Sequence, residues 1–238
     1  MKVAAKPERH PDTREVKYGS ERWRLLGQFR QKAQDLMFPL EQRHIQAIVH
    51  GSIARGDVDK DSDIDIFIPN PPSSFQIETI LEQVKSPVAT RMVIQATPAY
   101  AMKAYIEIDA ATTVSFPLME MRRVEREFYR FSGEVNLTQL KNDVRVAGVD
   151  KRLMLIQPTQ AGHVESNIIG REEQAAKTLG VAVETVLDRV HALLKRDAVG
   201  RTGVFVKKEL APDETFEQAL KRLADENPAV RRRLKSAL

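Results

Sequence analysis

Two aspartates one residue apart, Asp63 and Asp65, follow a Gly-Ser turn in the stretch His50-Gly-Ser-Ile-Ala-Arg-Gly-Asp-Val-Asp-Lys-Asp-Ser-Asp-Ile-Asp-Ile-Phe-Ile68. Side chains alternate along a strand, so Asp63 and Asp65 share one face while Ile64, Ile66 and Ile68 take the other. Two like charges on a half-buried strand repel, which raises one pKa unless a cation sits between them. Magnesium fits such a pair, because it prefers oxygen ligands and takes few carboxylates beside phosphate oxygens and water. In phosphoryl transfer, two such ions roughly 3.5–4 Å apart align the attacking and leaving oxygens. Mn2+ would suit the same oxygen donors.

A third carboxylate is expected from a neighbouring strand. Tyr105-Ile-Glu-Ile-Asp-Ala110 offers Glu107 and Asp109 on one face, with Ile106 and Ile108 on the other, and spacing alone does not choose between them. At Gly51-Ser52, a glycine lets backbone approach phosphate closely, and amides plus the Ser52 hydroxyl suit the β- and γ-phosphates of a nucleoside triphosphate. Arg55 lies one turn on, where a charge-assisted contact is expected. A Walker-type loop is excluded because no Gly-Lys-Ser/Thr follows the turn. Asp57, Asp59 and Asp61 read as solvated loop residues, and an acid-rich edge strand that discourages aggregation is the competing reading of the pair.

Gly-Ser, a short helix and loop, Asp-Ile-Asp-Ile, then Glu-Ile-Asp on a later strand resembles the nucleotidyltransferases of the DNA polymerase beta superfamily. The wording Gly-Ser-Ile-Ala-Arg-Gly and the Asp-rich connection are most similar to archaeal CCA-adding enzymes and small stand-alone nucleotidyltransferases. The match spans residues 45–117. The resemblance implies that Asp63 and Asp65 bind two magnesium ions together with one later carboxylate that also activates an acceptor hydroxyl. It favours Asp109 for that part, with Glu107 in reserve. The later domains of the CCA-adding family are not found downstream.

The elements that must hold these residues follow from periodicity and breakers. Apolar residues from Trp23 to Phe38 recur at helical spacing, so residues 21–40 are predicted helical. Residues 45–50 and 63–68 read as strands, the second closed by Pro69-Asn-Pro-Pro-Ser-Ser74. A helix over 75–84 follows, then strands over 90–97 and 104–116. Helices are predicted over 118–131 and 137–143, and a strand over 151–157. Residues 1–18 read as a loose polar arm. His50 reads as a hydrogen-bonded strand-end histidine, and His163 with Glu165 as loop residues rather than a metal site.

The tail has a different character. Residues 171–196 carry the grammar of a helix-turn-helix, with Ala176 at the crossing, Gly180 in the turn, and Val186 and Val190 inward. Residues 197–208 read as a Gly-turned hairpin, so the unit resembles a winged helix with Arg201, Lys207 and Lys208 meeting phosphates. The expected fold class is α/β (α+β): a mixed-sheet catalytic domain over 1–131, a connecting segment over 132–165, and the winged-helix-like module with basic tail over 166–238.

Of the 238 residues 29% are charged, and there is no cysteine, so disulfides and thiolate metal sites are excluded. No apolar run has membrane-spanning length and no signal-like segment opens the chain, which points to the cytoplasm without membrane partners. The formal charge is +4 and the pI about 9.3; clustered Lys and Arg favour a polyanionic partner. The expected reaction moves a nucleoside monophosphate from NTP to an acceptor hydroxyl, most simply a nucleic-acid 3′ end, RNA slightly before DNA. Transfer to a protein or small molecule is the alternative enzyme class. A non-catalytic nucleotide-sensing regulator that binds nucleic acid is the non-enzyme reading.

Overall fold

A computed structural model of the chain describes residues 13–84, 90–200 and 203–236. The central element is a seven-stranded mixed sheet. In chain order its strands are β2 (Ile48–His50), β3 (Ile64–Phe67), β4 (Thr90–Gln95), β5 (Lys103–Asp109), β6 (Thr112–Pro117), β7 (Glu134–Asn136) and β11 (Val206–Glu209). Across the sheet they run β11-β4-β5-β6-β3-β2-β7. Only β3 and β6 pair in parallel among these strands; the other neighbours are antiparallel.

One face of the sheet carries the main core. Ile64, Ile66 and Ile68 are fully buried there with Ala104, Ile106 and Val114, against α1 (Ser20–Glu41) and α3 (Ser74–Gln83). Helix α1 buries Leu26, Arg30, Ala33, Leu36, Met37 and Leu40, a stripe at helical spacing that contains one charged residue. The strand predicted over 104–116 is two strands, because Ala110 and Ala111 turn the chain back between Asp109 and Thr112.

A second, antiparallel sheet runs β1-β10-β9-β8. It contains β1 (Arg14–Lys17), β8 (Gly148–Val149), β9 (Met154–Thr159) and β10 (Gly162–Asn167). Two expectations change here. Residues 14–17 form a strand paired with β10 rather than a loose arm. The segment after Gly162 is a strand rather than a loop, and it puts His163 and Glu165 on one face. Tyr18 Oη lies 2.6 Å from His163 Nδ1, and Glu165 is paired with Arg14 at 2.8 Å and Arg152 at 2.6 Å. These partners give the two residues a structural use. Burial holds the His163 pKa below its ordinary value despite Asp57 and Glu165 nearby.

Helices α4 (Arg123–Ser132) and α5 (Leu137–Lys141) flank β7. Helices α6 (Glu172–Leu179) and α7 (Val183–Val199) join through Gly180, which adopts φ 63°. With Phe131, Val149 and Leu155 they enclose a second core around Val186 and Val190. The winged-helix reading fails in two places. The N-terminal turn of α7 is tied to α4, where Glu127 accepts from the Ala182 amide at 2.9 Å and the Thr185 hydroxyl at 2.6 Å. Among the described residues of 197–208, Asp197 to Val199 continue α7 and β11 pairs with β4 of the main sheet, so the expected hairpin partner is a different strand.

The chain then closes with α8 (Phe216–Glu226) and α9 (Pro228–Lys235). Phe216, Ala219, Leu223 and Val230 enter the main core, not a tail module. Beyond the expected boundary at residue 131, β7 and β11 belong to the seven-stranded sheet, and α8 and α9 pack into its core. Among the described residues no helix is long and apolar enough to cross a membrane.

Candidate active site

Strand register decides which side chains meet. Asp65 pairs with Thr113 across the parallel β3–β6 ladder, Thr113 with Glu107, and Glu107 with Thr90. Paired residues project from the same face, so Asp65, Thr113 and Glu107 form a row opposite the buried isoleucines. Asp65 and Glu107 are separated by two strand spacings, about 10 Å of backbone. All members of the row are half-buried. Asp63 enters the same strand one residue before Ile64, and the Ile64 amide donates to the Ala111 carbonyl at 2.7 Å.

Asp109 is elsewhere. A register shift between Glu107 and Asp109 pairs Asp109 with Thr112, whose neighbours Ile106 and Val114 face the core. The bulge reverses the direction of the side chain, and Lys32 of α1 meets its carboxylate at 2.7 Å. Burial raises its pKa, but hydrogen bonds from Lys32, the Ala111 amide and Thr112 outweigh that and hold the carboxyl below its ordinary range. The third carboxylate on the Asp65 face is thus Glu107, the reserve choice, and not Asp109. Among the described residues no three His, Cys, Asp or Glu gather closely enough to hold a metal ion. Asp63 and Asp65 are the paired carboxylates at this end of the row, oxygen donors of the type magnesium prefers.

The Gly-Ser turn opens beside this row. Gly51 has φ 75° and ψ −143°, a conformation that side-chain-bearing residues avoid. A Cβ at that position would meet nothing within 4 Å, so the backbone faces open space that a phosphate can occupy. The Ser52 hydroxyl donates to Ser62 Oγ at 3.2 Å, linking the turn to the loop that delivers Asp63. Arg55 does not reach toward a phosphate. It is 5% exposed, donates to the Ser132 carbonyl at 2.6 Å, and pairs with Asp57 at 2.9 Å. These contacts brace the turn from below, and Asp57 is the partner of Arg55 rather than a solvated loop acid.

Arg30 was not legible as a site residue. From the buried stripe of α1 its guanidinium donates to the carbonyls of Ile53, Ala54 and Val144 at 2.9–3.2 Å. Burial lowers its pKa to about 10, which leaves it charged. Two of these carbonyls thus lock the short helix α2 (Ser52–Arg55) to α1, and the third ties in the segment at Val144. A sequence signal existed only as a charge at an apolar helix position.

The rest of the Asp65 face is aromatic and basic. Phe67 stacks on Tyr129 of α4 at 3.8 Å between centroids, and His50 meets Tyr129 edge-on at 4.9 Å. Burial, with Lys103 and Arg55 nearby, drives the His50 pKa down to about 3, so the ring is neutral. Tyr105 lies between the Lys103 and Glu107 positions on β5, and burial with the Asp65 charge pushes its pKa to about 12. Of the proposed nucleic-acid contacts, Lys207 pairs with Ile94 and so shares the face of Lys103. Lys208 pairs with Val93 and faces the other side. Arg201 lies outside the described residues. A cleft of about 590 Å³ opens beyond α4, lined by Arg126, Arg130 and Glu134. It includes none of the carboxylate row, so its size does not assign it to the chemistry.

The family model described as "Nucleotidyltransferase domain" matches residues 30–145, which include the Gly-Ser turn, Asp63, Asp65 and Glu107. No curated protein matches the chain. A solved structure described as the complex structure of a CCA-adding enzyme with ATP is 16% identical, over 94% of this chain and 51% of that one, with a TM-score of 0.30. The chain thus spans about half the length of that protein, and a likeness at that TM-score carries no argument about fold or activity.

Proposed function

We propose, from the match of residues 30–145 to the nucleotidyltransferase domain model, a magnesium-dependent enzyme that moves a nucleoside monophosphate from NTP to a nucleic-acid 3′ hydroxyl. The carrying observation is the row Asp65–Thr113–Glu107 with Asp63 beside it, facing the open Gly51 turn. Asp63 and Asp65 would hold the metal, which supplies charge neutralisation at the phosphates when bound. Gly51 gives the triphosphate close backbone approach, and Ser52 offers a hydroxyl at the same turn.

Glu107 takes the remaining part. Its carboxylate shares the face of the aspartates, and it is the group we assign to accept the proton of the attacking hydroxyl. The β–γ pyrophosphate leaves as the α-phosphorus gains its bond to the acceptor oxygen. Asp109 is neutralised by Lys32 and serves to fix α1 against the hairpin.

A nucleic-acid acceptor is supported by the basic balance of the chain and by Lys207, exposed at the edge of the same face. The test is label transfer. The protein is incubated with each α-labelled NTP and magnesium, with tRNA, single-stranded DNA or cell extract as acceptor. Label in nucleic acid supports the proposal. Label confined to protein or a small molecule would move the acceptor to the alternative class, and NTP binding without any transfer would favour a nucleotide-sensing regulator.

A further inference from the structure

Two basic side chains on the cleft face lack the counter-ions their burial calls for. Lys103 sits on β5 and shares the Asp65 face through the alternation Lys103, Tyr105, Glu107. Its ammonium donates to Tyr129 Oη at 2.9 Å and lies over the rings of Tyr129 and Phe67, at 5.0 and 5.6 Å from the centroids. Arg189 reaches the adjoining ring from α7, its guanidinium carbon 4.6 Å from the Phe128 centroid. Phe128 and Tyr129 are themselves 5.3 Å apart, so two cations stand on neighbouring rings of one helix.

Among the described residues no carboxylate forms an ion pair with either cation. The nearest acids are engaged elsewhere. Glu125 accepts from the Ala101 and Arg122 amides and lies 3.7 Å from Arg233. Asp188 Oδ2 accepts from the Tyr100 hydroxyl at 2.6 Å. Arg189 Nε is buried without a hydrogen-bond partner. Burial, with the Arg189 charge adding, lowers the Lys103 pKa to about 8. Two mutually repelling cations held largely out of water are costly in the free protein, and a bound anion relieves that cost. Both residues keep a minor part of their surface exposed, so solvent and ligand reach them.

We propose that Lys103 and Arg189 form a phosphate-binding subsite beside the carboxylate row. Four strand residues separate Lys103 from the Asp65 row, about 13 Å along the sheet, a span bridged by a nucleotide and not by a lone phosphate. The occupant is a phosphate of the NTP or of the acceptor strand. Lys207, one strand beyond Ile94 in the Lys103 row, extends the same positive edge. The subsite rests on the nucleotidyl-transfer reading for its purpose but not for its test.

The experiment measures equilibrium binding of tripolyphosphate, and separately of a short single-stranded oligonucleotide, to the full chain without metal. Wild type, Lys103→Met, Arg189→Met and, as a control on the second sheet, Lys17→Met are compared, with the melting temperature of each free protein recorded. Expected are a tenfold or greater loss of affinity for one probe in both Lys103→Met and Arg189→Met, unchanged binding by Lys17→Met, and a free-protein melting temperature for Lys103→Met equal to or above wild type. The probe that is lost identifies the donor or the acceptor as the source of the phosphate. Wild-type affinity for both probes in Lys103→Met, no binding of either probe by wild type, or a lowered melting temperature in Lys103→Met would overturn the subsite. If Arg189→Met does not fold, Lys103→Met decides. Metal-free binding that depends on Lys103 in a protein without transfer activity would sink the transfer reading and leave the subsite standing.

Discussion

A one-residue bulge separates the fates of Glu107 and Asp109. Both acids alternate correctly with Ile106 and Ile108, so periodicity put them on one face. The register shift after Glu107 is a property of the β5–β6 turn, and no local spacing reveals it. Glu107→Gln is expected to lower the transfer rate about a hundredfold, the scale of a lost general base, while Asp109→Asn stays within a few-fold; the reverse order in single-turnover kinetics would contradict the assignment. His163 supports a pH prediction. The folded protein holds its pKa below the ordinary 6.5, so below about pH 6.5 the unfolded chain binds a proton that the folded chain resists. Stability therefore falls as pH drops. Urea midpoints at pH 7.5 and 5.5 should differ more in wild type than in His163→Gln, and an equal difference would show that His163 does not carry the effect. His50, with its pKa near 3, adds loss in the same direction in both proteins.

Helix α1 shows how an element positions chemistry it does not perform. Its helical period was readable from Trp23 to Phe38, while the stripe actually buried, Leu26 to Leu40, leaves Phe38 exposed and carries Arg30 inward to three carbonyls around α2. Arg30→Met keeps length and apolar bulk but leaves those acceptors without their donor. About 3 kcal/mol of stability should be lost, because each buried unsatisfied group costs about 1–3 kcal/mol. Chemical denaturation checks this, and a loss below about 0.5 kcal/mol would remove the clamp from the account. The strands β2, β3 and β4 and the helices α1 and α3 were visible in the sequence because burial on one side stamps a period on them. β1 and β10 were not, since they pair across 145 positions, as Tyr18 and His163 do, and carry little alternation of their own. Lys207 and Lys208 looked alike in sequence; pairing with β4 sends them to opposite faces.

Over the whole molecule, the C-terminal segment completes the main core. Phe216 is fully buried and meets Phe116 of β6 edge-on at 5.4 Å, so the main core spans both halves of the chain. Grammar within residues 171–208 suggested a separate winged helix because local patterns describe helices and turns, not which sheet edge a later strand joins. Phe216→Ala should cost about 3–5 kcal/mol and shift the unfolding midpoint seen by Trp23, the single tryptophan, which lies on α1. An unmoved Trp23 transition would mean an independent C-terminal module. The central claim is that Asp63 and Asp65 make this face a nucleotidyl-transfer site, and its most direct measurement is magnesium-dependent incorporation of α-labelled NTP by wild type, Asp63→Asn and Asp65→Asn. Transfer by wild type with at least a hundredfold loss in each variant, NTP-free stability unchanged, is the predicted result; transfer at wild-type rates in either variant would contradict it.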